Sequence, residues 1–216
     1  MRPVTRGRFI TFEGGEGAGK STQARLLVEQ LQARGISVVL TREPGGSEGA
    51  EALRNLLVVG DADRWTPTAE TLLMYAGRSD HLTRLIRPAL AAGTWVVCDR
   101  FSDSTRAYQG AGGGVSSDFI DTIDAEVVGS DRPDLTLIFD MPVEVGLERA
   151  FGRDMFEARF ESKGLAFHQR LRDAFLAIAT TEPTRCVLID AGGSLEEVAE
   201  QVWTAVSSRL ELELEP

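Results

Sequence analysis

The chain has 216 residues and a net charge of −10, from 23 Lys and Arg against 33 Asp and Glu. Its length fits one domain of about 100–200 residues carrying an insertion, and its 43% hydrophobic and 26% charged fractions exclude a disordered chain. The acidity takes weight from non-specific nucleic-acid binding, and no run approaches the roughly 18 apolar residues of a membrane span.

From the start, MRPVTRGRFITFEGG carries positive charge but no apolar segment ahead of a cleavage site, so the expectation is a cytoplasmic protein with no membrane partner. Residues 8–13 (RFITFE) are a short apolar run ending in glycines, a strand. Residues 20–34 place Leu26, Leu27 and Leu31 at helical spacing and are closed by Gly35. Residues 38–40 read as a second strand, broken by EPGG, and 49–59 as a helix. A longer helix is expected over 68–92, limited or kinked by Pro88. Further strands fall at 95–98, 135–139 and 186–189, and further helices at 118–128, from about 143, and at 195–210.

Short continuous apolar strands separated by helices predict a parallel sheet covered on both faces, an α/β fold. No repeat and no Pro- or Ser-rich linker divides residues 1–216, so one domain is expected. The charged, irregular stretch 152–164 reads as a flap inserted at about 150–164, and residues 211–216 as a frayed tail. Cys98 and Cys186 sit in apolar runs without metal-ligand spacing and are expected to be buried thiols. His81 and His168 fall in helical segments and are expected to be structural, as are Trp95 and Trp203. Lys20 and Lys163 are the two lysines; every other basic residue is arginine.

The strongest motif is Gly14-Gly15-Glu16-Gly17-Ala18-Gly19-Lys20-Ser21, a G-x-x-x-x-G-K-S placed between a predicted strand and a predicted helix. Glycines let backbone N–H groups converge on a phosphate, and the helix adds unpaired N–H groups and its positive dipole end. Lys20 supplies a point charge to the outer phosphates, Ser21 a hydroxyl for magnesium, and Thr22 continues the site into the helix. A nucleoside triphosphate with Mg2+ is therefore expected. Three classes remain: a GTPase switch, a motor-like ATPase and a small-molecule kinase. No N-K-x-D motif follows a later strand, which argues against the first. Asp99 and Asp140, each ending an apolar strand, could hold magnesium in either of the others. Glu13, Arg42, Asp99, Asp140 and Asp190 all fall at strand carboxyl ends, where an open parallel sheet binds ligands. That convergence favours a second substrate beside the triphosphate.

GGEGAGKSTQ, TREPGG, YAGRSDH, DRFSDSTRAYQG and PDLTLIFD, in this order, resemble the thymidylate kinases from about Phe9 to Trp203. The resemblance implies a P-loop NTPase three-layer fold, with a five-stranded parallel sheet flanked by helices and a short lid. It also implies transfer of the ATP γ-phosphoryl to dTMP, and a homodimer packed through helices, with the 68–92 helix and the one near Asp118 as contact elements. Carried over by residue, Arg100 and Arg54 would grip the dTMP phosphate and Arg78 would meet the thymine edge. Ser104 and Gln109 would face the base, and Tyr108 would lie against the sugar and crowd a ribose 2′-hydroxyl. Glu16 would accept from the 3′-hydroxyl, Pro44 would shape the base pocket, and Glu43 would join the magnesium–water shell beside Ser21 and Asp99. Gly17 stands where some relatives carry a P-loop arginine, so the catalytic arginine is expected in the lid, at Arg153, with Arg149 and Arg159 as the other candidates. Two positions depart from the family pattern. Met74 replaces the aromatic that usually stacks on thymine, with Tyr75 beside it, and Ala158 replaces an Asp often found before the arginine at 159.

Overall fold

Phe9–Gly14 (β1) is buried along its whole length, which requires protein on both faces and a strand on each side. The computed structural model, which describes residues 5–61, 63–150 and 163–212, supplies both. Its sheet is five-stranded, ordered β2–β3–β1–β4–β5 and parallel throughout. The other strands are Val38–Arg42 (β2), Trp95–Asp99 (β3), Leu135–Asp140 (β4) and Cys186–Asp190 (β5). The fold is the expected α/β architecture. The two edge strands, β2 and β5, are the ones that keep exposed positions.

Alternation along the strands decides what packs where. Ile10 and Phe12 of β1, with Leu137 and Phe139 of β4, face Lys20–Ala33 (α1) and the last helix, Leu195–Arg209 (α9), through Leu27, Leu31, Val198 and Val202. α9 starts with a capping box, in which Ser194 Oγ accepts from Glu197 N and Glu197 Oε2 accepts from Ser194 N. On the opposite face Phe9, Val96 and Cys98 pack against Leu82, Ile86, Leu90 and Ile120. These come from Pro67–His81 (α3) and its continuation, and from Ser117–Val127 (α6). Leu165–Thr181 (α8) closes the same side over Ile138. Glu48–Val58 (α2), capped by Ser47, packs on α3.

The long helix expected over 68–92 is one rod of three parts. α3 passes through a wide π-type turn at Leu82–Ile86 into Arg87–Ala91 (α4). Pro88 has no N–H to give and its ring crowds the carbonyl one turn back; the widened turn just before it relieves both. The stretch after β3, where no element was predicted, folds as Ser102–Thr105 (α5) and a second π-type segment, Arg106–Gly112. Val143–Ala150 (α7) follows β4. The insertion expected at 152–164 falls almost wholly outside the described residues, with Arg153 and Arg159 in it. Among the described residues, no helix is long and apolar enough to cross a membrane.

Candidate active site

The register aligns the strand ends. Arg42 pairs with Asp99, Gly14 with Phe139, and Asp140 with Asp190. β1 lies between β3 and β4, so the loops leaving it and its neighbours diverge here and open a crevice.

One side of the crevice is the glycine-rich loop. Gly14, Gly17 and Gly19 have φ of 131°, 69° and 82°, a region other residues seldom enter. At Gly17 space is short as well, since a Cβ would lie 1.9 Å from the Gly146 carbonyl oxygen on α7. Gly19 caps α1 with no side-chain acceptor, and the Thr22 N–H reaches back to its carbonyl at 3.1 Å; a helix start of this kind favours an anion. Buried Lys20 folds back, its Nζ donating to Gly15 O at 2.6 Å. The Ser21 hydroxyl donates to Asp99 Oδ2, joining the start of α1 to the end of β3.

The other side is a cavity with a mostly apolar wall. Every residue expected to contact the monophosphate lines it except Arg54, which stands just behind and donates to Pro44 O at 2.8 Å. Val58, Phe101 and Thr105 also line it and were not singled out by the sequence. Glu16 sits between the two compartments. Its carboxylate accepts from Arg100 Nη2 at 2.9 Å and from the Tyr108 hydroxyl at 2.6 Å. Burial works against its charge, but Arg100, Lys20 and the Tyr108 hydroxyl outweigh that and hold its carboxyl below the usual range.

Arg100 is held in an unusual backbone state, with φ 68°. Three contacts secure it. Its N–H reaches Phe12 O at 2.9 Å, its Nη1 reaches Gly14 O at 2.9 Å, and the next N–H, of Phe101, reaches Glu13 Oε1 at 2.8 Å. Glu13 also accepts from the Ser104 hydroxyl at 2.5 Å. Burial and the Asp103 carboxylate push Glu13 up to about 7. Gln109 is fixed by donation to buried Glu70 at 2.7 Å. No sequence spacing pointed to Glu70.

Arg78 is 2% exposed and stacks against the rings of Tyr75 and Phe101, at 4.6 and 5.0 Å. Its Nε donates to Glu43 Oε2 at 2.9 Å and its Nη2 to Thr105 at 3.1 Å. The other Glu43 oxygen meets His81 Nδ1 at 3.0 Å. The Glu43 carboxylate is thus engaged with α3, and the Ser21–Asp99 pair forms without it. Met74 lines the cavity. Tyr75 instead lies behind Arg78 and donates to Asp124 at 3.0 Å, so it backs the guanidinium and not the cavity wall. Asp140 is taken by Arg172, with donations of 2.7 and 2.9 Å. Arg149 donates to Ala191 O at 3.1 Å, tying α7 to the loop after β5, and does not line the cavity.

The arrangement offers an anion cradle with a lysine, a hydroxyl–carboxylate pair suited to a hard cation, and an adjoining apolar cavity with Arg78 and Arg100 in its wall. Comparison with known proteins agrees with such a site. The sequence model described as thymidylate kinase matches residues 12–202. A thymidylate kinase of Caulobacter vibrioides is 59% identical over 209 residues, covering 97% of this chain and 100% of that protein. One from a Bradyrhizobium strain is 56% identical over 95% of this chain and 92% of its own. The crystal structure of thymidylate kinase from Ehrlichia chaffeensis superposes with a TM-score of 0.74 at 35% identity, covering 93% of this chain and 99% of that one.

Proposed function

Since the chain belongs to the thymidylate kinase family, we propose that its cavity binds dTMP and its glycine-rich loop binds MgATP. The enzyme phosphorylates dTMP to dTDP with ATP as donor. The observation that supports the assignment of the cavity is convergence: residues spread from Glu16 to Gln109 meet in one pocket beside the loop.

In this reading the α1 N-terminus and Lys20 hold the ATP phosphates. Ser21 and Asp99 hold magnesium, whose charge offsets that of the phosphates. Arg100, with Arg54 behind it, takes the dTMP phosphate. It already lies beside Gly14, where the acceptor oxygen must come in line with the γ-phosphate. Little covalent help is needed for phosphoryl transfer; positioning and opposed charge suffice. The remaining positive charge comes from the segment after α7, at Arg153, with Arg149 and Arg159 as alternatives. Arg78 donates to the base edge, Gln109 and Ser104 bound the base, Pro44 and Met74 pack on it, and Tyr108 with Glu16 takes the sugar. Glu43 acts here by orienting Arg78, its carboxylate being committed to α3. The chain works as a cytoplasmic homodimer joined through α3 and α6, where Leu72 and Phe119 are 51% and 36% exposed.

The test is ADP formation from MgATP with and without dTMP. Turnover that depends on dTMP is expected; equal turnover without it would overturn the reading.

A further inference from the structure

Thr41, Glu43, Arg78 and His81 form a buried chain, each less than a tenth exposed. Arg78 and His81 are three residues apart on α3 and so share a face. They meet the two oxygens of one carboxylate, Arg78 at Oε2 and His81 at Oε1. A carboxylate only accepts, so His81 Nδ1 carries the proton it shares with Glu43. At the far side of the ring, Nε2 meets Thr41 Oγ1 at 2.8 Å. The turn after Pro44 closes over this pair. Gly46 has φ 89°, and a Cβ there would lie 2.3 Å from His81 Nε2 and 2.5 Å from Thr41 Oγ1. Arg78 lines the cavity, and Nη1 is its one nitrogen with no partner among the described residues.

We infer that His81 and Thr41 are positioning residues for base selection: they lock Glu43, which turns the Arg78 guanidinium so that Nη1 presents a donor to the base. This rests on the reading of the cavity as the monophosphate site. A buried donor without a partner is costly, about 1–3 kcal/mol, until an acceptor arrives. It therefore selects a base with a keto oxygen at that edge over one with an amino group. A guanidinium free to swing would lose this selection while the phosphate machinery stayed intact.

The experiment measures kcat and KM for dTMP and dCMP in the wild type and in His81→Leu, His81→Asn, Thr41→Val and Arg78→Met. For His81→Leu the dTMP/dCMP ratio of kcat/KM should fall at least about fivefold, through KM for dTMP, with kcat within about threefold. His81→Asn keeps a donor for Glu43 and should recover most of the ratio. Thr41→Val, which exchanges only the hydroxyl for a methyl, should give a smaller fall and decides the matter if His81→Leu does not unfold cooperatively. A merely structural role would lower activity with both acceptors together, and an unchanged ratio in the folded variants overturns the inference. If Arg78→Met also leaves the ratio unchanged, the base contact itself is wrong and the inference falls with it. An Arg78-sensitive ratio that ignores His81 and Thr41 overturns the inference alone.

Discussion

Glu13 has no exposed surface, yet it accepts from the Phe101 N–H and the Ser104 hydroxyl and so braces the turn that carries Arg100. Burial, then the nearby Asp103 charge, raises its carboxyl from 4.5 to about 7. The sign follows from proton counting. Between those two values the folded chain holds a proton that the unfolded chain has lost, so stability from this group falls as pH rises from about 4.5 to about 7, then levels. The expected change is at most about 3 kcal/mol. Urea unfolding from pH 5 to 8 should show a flatter pH profile for Glu13→Gln than for the wild type; parallel profiles would contradict the assignment. Residues of this kind were only partly legible. Arg78, Arg100 and Tyr108 stand in recognisable motifs. Glu16 and Glu43, which orient them, stand in motifs too, but the pairings themselves are not legible, because Glu43 is 35 residues from Arg78 and Glu70, outside any motif, is 39 from Gln109. Packing makes those pairs, and no local spacing encodes them. Glu43 was expected in the magnesium–water shell from the family resemblance; its contacts with Arg78 and His81 on α3 were not foreseen.

Among the elements, α7 and the glycine-rich loop meet through two glycines. A Cβ on Gly17 would strike Gly146 O at 1.9 Å, and one on Gly146 would strike Glu16 O at 2.5 Å. Gly19 also has positive φ, at 82°, but open space around it. The two positions separate backbone strain from close approach. Gly19→Ala should cost about 1–2 kcal/mol, the ordinary penalty for a side chain in that region. Gly17→Ala adds a collision with backbone and should cost about 2–4 kcal/mol. Denaturant midpoints compare them directly, and equal losses would contradict the close packing of α7. The elements themselves were legible where their signals are strong: buried strands as apolar runs, and α1 by its leucines closed by Gly35. No element was predicted over the helical turns at 102–112; glycines at 110 and 112–114 blur any helical pattern there, and Ala107 and Tyr108 are held by apolar contacts with α8. Pro88 was read correctly as a disturbance, but it widens the rod and does not end it.

For the molecule as a whole, the strand–helix alternation made the parallel sheet legible. Strand order and the pairing of helices with faces were not, since they are set by long-range contacts. Leu72 on α3 and Phe119 on α6 leave apolar surface exposed on neighbouring helices, consistent with the proposed dimer. Sedimentation should give twice the 23.5 kDa chain mass, and Leu72→Glu with Phe119→Glu should shift the protein to monomer; a monomeric wild type would contradict that contact. The central claim is that one cavity selects the acceptor. It is tested most directly by ADP formation from MgATP with no acceptor, dTMP, its ribose counterpart, dUMP and dCMP. The account predicts strong stimulation by dTMP, little by the ribose form that Tyr108 would crowd, and little by dCMP. Acceptor-independent turnover, or equal rates with every monophosphate, would contradict it.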